Sequence, residues 1–306
     1  MNFLSMDYFL MLAKERNFTR AAEKLHVTQQ TLSAHIAALE KETGSPLFVR
    51  HVPLELTYAG TIFLRYAEGF QQNMRSLKNE LNDAACNKAG ELRIGTAPAR
   101  ERILLPGLIT SFQKEHPRVR FQLTEASNQV LQEKLLNGEI DLAIANFPKS
   151  LPGIERIPFY EEELILLAAA RLLERTAIPE ALRNKDALTY KELRTIIGAV
   201  PLLTNSKDTI VGSIIWRFFA ENDIVPIVKA ESGNMETLLR LCSLGNGILL
   251  CPEILAHNTL TEEQLTKMKQ YHLPQFRFTI SFGCRKEKHR WSVLNAFIQN
   301  ALHEQA

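Results

Sequence analysis

Apolar residues in the first sixty positions recur at helical spacing. Phe9, Leu12 and Ala13 share one face, and Ala21, Ala22 and Leu25 share another after a break at Asn17-Phe18-Thr19. Leu32, Ile36 and Leu39 then form the i, i+4, i+7 stripe of a third helix starting near Thr28. Thr19 and Thr28 are suitable N-caps, and Gly44 and Pro46 stop the third helix. The stretch Phe48–Leu56, with Val49, Val52, Pro53 and Leu54, predicts a short two-stranded excursion. From Thr57 a long helix is expected, because Ile62, Phe63, Tyr66, Phe70, Met74, Leu77 and Leu81 recur every three or four residues. A narrow apolar stripe of that length suits a seam between two chains better than packing on its own domain. The small-residue run from Ala84 through Cys86-Asn87-Lys88 to Gly90 fits a hinge.

Beyond Gly90 the pattern changes. Strand-like runs at Leu92–Ala97, Val119–Glu125, Ile140–Ala145 and Leu164–Ala168 alternate with helical ones at Ile103–Glu115 and Gln129–Asn137. A second set follows: helix Ile214–Glu221, strand Ile224–Lys229, helix Met235–Leu244 and strand Gly247–Cys251. A strand at Phe276–Gly283 and a helix at Trp291–His303 close the chain. Such alternation predicts βαβ units, a parallel sheet and two α/β lobes with a return crossing near the C-terminus. The expected domains are 1–58, a linker helix and hinge at 59–89, and 90–303. Within the last, one lobe takes about 90–163 and 269–303 and the other about 164–268.

Composition narrows this picture. The 306 residues are 45% hydrophobic and 23% charged, as in an ordinary globular protein of two or three domains. Charged residues Asp7, Lys14, Glu15 and Arg16 interrupt the N-terminus, and no apolar run reaches the roughly 18 residues of a membrane helix, so no membrane partner and a cytoplasmic location are expected. Cys86, Cys242, Cys251 and Cys284 are too scattered for a disulfide framework or a zinc site, so no metal is expected. The net charge of +2 does not by itself point to nucleic acid. A motif has to carry that case.

The second and third helices, joined by a tight turn at His26-Val27, have the spacing of a helix-turn-helix, whose second helix offers its N-terminal residues to the DNA major groove. With Leu32, Ile36 and Leu39 turned inward, Gln29, Gln30, Thr31, Ser33, Ala34 and His35 are expected to face outward. Glutamine pairs with adenine, threonine methyls meet thymine methyls, and hydroxyls reach phosphates. Thr19, Arg20, Thr28 and Arg50 complete the candidate DNA set, with Arg50 in the wing the first choice for a phosphate contact. Spacing alone fits a polar helical hairpin equally well.

A longer set of residues decides between them. Ala21-Ala22, Leu25, Thr28-Gln29, Leu32-Ser33, Ile36, Leu39-Glu40, Gly44, Leu47-Phe48, Arg50, Leu56-Thr57 and Ala59-Gly60 resemble the N-terminal signature of the LysR-type transcriptional regulators. Weaker likenesses are the Gly90–Thr96 strand, Gly138–Ala145 with Asp141-Leu142-Ala143, and Leu244-Gly245-Asn246-Gly247-Ile248. The resemblance implies a winged helix-turn-helix and a linker helix over Thr57–Cys86 that builds a dimer or tetramer. It further implies a two-lobed, periplasmic-binding-protein-like effector domain, with promoter DNA, a small-molecule effector and RNA polymerase as partners. Three features depart from the family pattern: Gln30 stands where a proline is frequent, Ala34 and His35 stand near the middle of the recognition helix where arginine or glutamine is frequent, and Glu55 sits in a wing where basic residues are common. Acidic and basic residues balance over residues 1–60, so one domain alone is expected to bind DNA weakly and to depend on multivalency.

Effector contacts are expected where strands run into helix starts. By similarity to the family these begin with Thr96-Ala97. Arg100, Ser127, Asn128, Asn146 and Phe147 follow on the first lobe. Thr204-Asn205-Ser206 and Ser232-Gly233 lie on the second. Each reads equally well as a simple helix cap. Arg100 or Arg102 could pair with a carboxylate, which makes a small organic anion one candidate effector. The basic segment from about Leu172 to Val200 is long for the family and reads as a lid, an oligomer contact or a decorated surface. An enzyme is the main reading from another class. No phosphate loop, nucleophile elbow or HExxH is present, the histidines are dispersed, and no catalytic residue or cofactor is expected. A thiol switch through Cys242 and Cys251 is a further alternative, although buried cysteines usually act as small hydrophobes.

Overall fold

The computed structural model describes residues 2–51, 53–85, 89–148, 151–286 and 290–304. Val52, the hinge residues Cys86-Asn87-Lys88 and His289 lie outside the described residues. The chain divides into two compact units, Met1–Ala85 and Cys86–Ala306.

The first unit runs α1 (Phe3–Glu15), α2 (Phe18–Lys24), α3 (Gln29–Thr43), β1 (Phe48–Val49), β2 (Glu55–Leu56) and α4 (Tyr58–Ala84). Phe9 and Leu12 of α1, Ala21 and Ala22 of α2, and Leu32, Ile36 and Leu39 of α3 close on one core with Leu47, Phe48 and Leu54 of the wing. The Phe9 ring centre lies 5.1 Å from that of Phe48 and 4.7 Å from that of Phe63, tying the wing and α4 to α1. Thr28 caps α3 as expected, accepting from the Thr31 amide at 3.1 Å. Thr19 does not cap α2. That helix begins one residue earlier, and the Asn17 Oδ1 accepts from the Arg20 amide at 3.0 Å.

In the second unit the strands are β3 (Gly90–Thr96), β4 (Val119–Glu125), β5 (Leu142–Ala145), β6 (Ile154–Ala169), β7 (Leu202–Asn205), β8 (Val228–Ser232), β9 (Ile248–Pro252) and β10 (Met268–Arg285). Its helices are α5 (Pro98–Glu115), α6 (Asn128–Leu136), α7 (Ala170–Glu174), α8 (Glu180–Arg183), α9 (Tyr190–Ala199), α10 (Ile210–Glu221), α11 (Met235–Ser243), α12 (Glu253–Thr259), α13 (Glu262–Thr266) and α14 (Ser292–Glu304). One sheet holds all eight strands in the order β4-β3-β5-β10-β6-β9-β7-β8. Its outer strands are parallel, as the alternation predicts. The centre is not. β10 pairs antiparallel with both β5 and β6, and β6 pairs antiparallel with β9.

The two long central strands pass through both lobes. Leu164–Ala169 and Tyr271, Leu273 and Phe276 belong to one core, while Phe159, Ile280, Phe282 and Cys284 belong to another. Their pairing slips register between Leu273 and Arg277, opposite Leu164 and Glu163, which marks the crossing. Segment 172–200 carries helices α7, α8 and α9, and Leu173, Leu193, Ile196 and Ile197 of α7 and α9, with Ile178 and Leu188 of the connections, are buried in the second lobe's core. Its length therefore serves packing. The Asp141-Leu142-Ala143 segment also has a structural reason: Asp141 accepts from the Arg93 amide at 2.9 Å and from its Nε at 3.0 Å, joining β5 to β3.

Candidate functional site

On the first unit, Gln29, Gln30, Thr31 and Ala34 are exposed at the N-terminal end of α3, with Thr19 and Arg20 exposed on α2. The turn between the helices places His26 at φ 55°, a left-handed conformation. Other expected contacts are already engaged. His35 does not face outward: its ring meets Tyr8 edge-on at 4.8 Å, and Nδ1 lies 3.4 Å from the Ser5 hydroxyl. Ser33 is half-buried, and the Thr28 and Thr31 hydroxyls are bonded to each other at 2.8 Å.

Arg50 is exposed but tied down, donating from Nη2 to Glu40 Oε2 at 2.9 Å. The other oxygen of Glu40 accepts from the Leu47 and Phe48 amides at 2.8 and 3.2 Å. Glu40 thus positions the start of the wing and holds its arginine. The Leu39-Glu40 pair is part of the signature quoted above, but its role needs the fold to be seen. The Thr57 hydroxyl donates to the Pro46 carbonyl at 2.7 Å and accepts from the Gly60 amide at 2.9 Å, clamping the start of α4 to the wing. Along α4, Phe63 and Ala67 pack into the core, whereas Ile62, Tyr66, Phe70, Leu77 and Leu81 stay exposed, Tyr66 and Leu81 at 60% each.

The second unit contains a cleft of about 820 Å³ between its lobes. Four helix starts converge on it: Ala97-Pro98 of α5, Ser127-Asn128 of α6, Thr209-Ile210 of α10 and Asn234-Met235 of α11. Of the expected residues, Ala97, Arg100, Ser127, Asn128, Asn205 and Gly233 line this cleft. Thr96, Asn146, Phe147, Thr204, Ser206 and Ser232 do not, and most have a structural employment. The Thr96 hydroxyl donates to the Ile144 carbonyl at 2.9 Å, and Asn146 Nδ2 to the Thr279 carbonyl at 2.9 Å. Phe147 packs on Gly283, the Thr204 side chain is fully buried, and the Ser232 hydroxyl accepts from the Asn234 amide at 3.0 Å.

Arg100, expected as a candidate partner for an anion, is already paired. It is 5% exposed, and its Nε and Nη2 meet the two oxygens of Glu162 on β6 at 2.9 and 2.7 Å. The Tyr160 hydroxyl donates to the same carboxylate at 2.8 Å. Burial opposes the Arg100 charge, but the Glu162 charge and hydrogen bonds outweigh it and hold the guanidinium above its ordinary pKa. Burial and then the Glu162 charge push the Tyr160 phenol up as well. Arg102 reaches across the cleft to Glu236 on α11, whose other oxygen accepts from Arg240 at 2.9 Å.

A winged helix-turn-helix unit ahead of a two-lobed α/β unit with a cleft between its lobes defines a ligand-responsive DNA-binding protein. Family models agree on both halves. Residues 3–61 match the bacterial regulatory helix-turn-helix of the lysR family, and residues 87–306 match the LysR substrate binding domain. The chain belongs to the LysR family of transcriptional regulators, and no enzyme is among the relatives that establish this. It is 31% identical over 262 residues to the HTH-type transcriptional regulator IlvY of Escherichia coli K12, spanning 85% of this chain and 84% of that one. The Hca operon transcriptional activator HcaR of the same organism is 27% identical over 250 residues, covering 81% and 80%. Among solved structures, full-length CbnR complexed with its target DNA superposes with a TM-score of 0.67 at 23% identity over all of both chains. Full-length OxyR from Pseudomonas aeruginosa reaches 0.73 at 21%, covering 99% and 98%. LysR-type regulators bind DNA and small-molecule effectors and form oligomers, and this chain is one of them. Among the described residues, no helix is long and apolar enough to cross a membrane.

Proposed function

We propose that this regulator reads promoter DNA with the N-terminal turns of α3, through Gln29 and Gln30, and holds flanking phosphates with Arg20. It senses a small effector in the cleft of the second unit. The supporting observation on the DNA side is that the N-terminal end of α3 is polar and exposed while Leu32, Ile36 and Leu39 are wholly buried behind it. Arg50 is assigned to phosphate contact together with Glu40, which sets its direction. The exposed stripe of α4 is assigned to self-association, and the protein works in the cytoplasm, where its DNA is.

For the effector, the candidate contacts reduce to Ala97, Ser127, Asn128, Asn205 and Gly233, with Arg100 as a buried support. Coupling requires that the ligand bind two arrangements of the molecule with different affinity. Arg102–Glu236, which joins the lobes across the cleft, is the contact most exposed to such a change. A mobility-shift assay on the DNA beside the regulator's own gene tests the DNA assignment. Gln29→Ala is expected to cost about 1–3 kcal/mol of specific binding, and Arg20→Ala to weaken all DNA about equally with a shallower salt dependence. Full specific retardation in both variants contradicts the assignment.

A further inference from the structure

The effector cleft has used up its cations and left its acceptors open. Arg100 is bound at both exits by Glu162, and Arg102 and Arg240 share Glu236. Of the carboxylates lining the cleft, Glu125 and Asp208 are in no ion pair among the described residues. Two amide oxygens are also unspent. Asn205, 2% exposed, donates through Nδ2 to the Ser232 carbonyl at 3.2 Å, which fixes its amide so that Oδ1 is left over. Asn128 donates through Nδ2 to the Asn146 carbonyl at 2.8 Å and is fixed the same way. Neither Oδ1 has a hydrogen-bond donor among the described residues, and both are buried in the cleft wall. One comes from each lobe. A buried acceptor without a donor is costly to the protein, and a ligand that supplies the donor recovers that cost.

Resting on the reading of the cleft as the effector site, we propose that the effector is a small hydrogen-bond donor. It carries hydroxyl or ammonium groups toward Asn128 and Asn205, and is not a compact organic anion held by an arginine. A carboxylate on the same ligand would sit at the first lobe's helix starts. There Ala97 cannot cap, and Ser127 makes no capping bond. Thr209 and Asn234 on the second lobe spend their side chains capping their own helices at 3.0 and 3.2 Å. Neutral amino acids, amino alcohols and polyols have this chemistry, and succinate, fumarate and benzoate lack it.

Calorimetric titration of the full-length protein with these two probe sets tests the proposal. Ala97→Trp serves as a variant with a filled cleft, and Asn205→Leu and Asn128→Leu as variants without the acceptors. A donor-bearing probe is expected to bind the wild type and to lose about tenfold or more in affinity in the asparagine variants. It is expected to lose measurable binding in Ala97→Trp. Should Asn205→Leu fail to fold, judged by circular dichroism and melting, the half-buried Asn128→Leu carries the test. A dicarboxylate or benzoate that binds the wild type, is blocked by Ala97→Trp and ignores both asparagine variants overturns the donor class while the cleft reading stands. A probe that binds Ala97→Trp as well as it binds the wild type overturns the cleft reading and this inference with it. Silence of the whole donor set against the wild type also overturns the inference.

Discussion

At Gly60 an added methyl group has nowhere to go, since its carbon would stand 2.0 Å from the Leu47 carbonyl oxygen. Gly60→Ala is expected to lower unfolding stability by about 3 kcal/mol, the upper end of overpacking costs, because the obstacle is backbone. A urea midpoint equal to wild type would contradict this. The Arg100–Glu162 pair makes a sharper prediction. Glu162→Gln leaves a buried guanidinium without its counter-charge and is expected to cost about 3–5 kcal/mol, whereas Arg100→Met with Glu162→Leu should recover most of that loss. Equal destabilisation in the single and double variants would mean that the pair is not the cause. Burial pushes the Cys242 thiol up to about 12 and holds Cys251 well above its ordinary value. The thiolate is the reactive form. In a Cys86→Ser background, native protein should therefore leave both unlabelled by a thiol reagent and bind DNA unchanged after peroxide. Rapid labelling would reopen the thiol-switch reading.

Among the elements, α4 separates what periodicity can and cannot say. Its repeat of three and four predicts a helix, and Tyr58–Ala84 is one. The same repeat does not say which side of the helix meets its own domain, because Phe63 and Ala67 turn inward while Ile62, Tyr66 and Phe70 do not. Tyr66→Glu with Phe70→Glu is expected to shift the protein toward monomer in light scattering and to weaken DNA binding by removing the second attachment. An unchanged mass would place the self-association elsewhere. β6 and β10 were only partly legible. Leu164–Ala168 reads as a strand from its continuous apolar run, and Phe276–Gly283 from the alternation of Phe276, Phe278, Ile280 and Phe282 with polar residues. The rest of each strand mixes buried, half-buried and exposed positions without a steady period, and Pro158 and Pro274 interrupt it. The antiparallel centre of the sheet follows from that missed length. β7 lacked a signal of its own because its four residues are all buried, a run too short to show any period.

At the level of the whole molecule, the family was readable from contiguous residues and the site was not. Ala97, Ser127 and Asn128 follow strands that the pattern shows, so their place on the cleft was open to inference. Glu162, which takes the charge of Arg100, lies 62 residues away on a strand whose extent was hidden. Glu40 likewise reaches the Leu47 amide only across the start of the wing. Balanced charge in the N-terminal unit, with Lys24 on Glu15 and Arg50 on Glu40, leaves few cations for phosphates. Affinity for operator DNA is therefore expected to fall less than about a thousandfold between roughly 50 and 200 mM salt, a shallower dependence than strongly basic repressors show. The measurement that bears most directly on the central assignment is fluorescence anisotropy of the full-length protein on DNA from beside its own gene and on a scrambled duplex. Wild type should prefer the native sequence, and Gln29→Ala should lose about tenfold or more on it while leaving scrambled binding unchanged. A folded oligomer that binds both duplexes alike at low salt, with Gln29→Ala indistinguishable from wild type, would contradict the assignment of α3 as the reading helix.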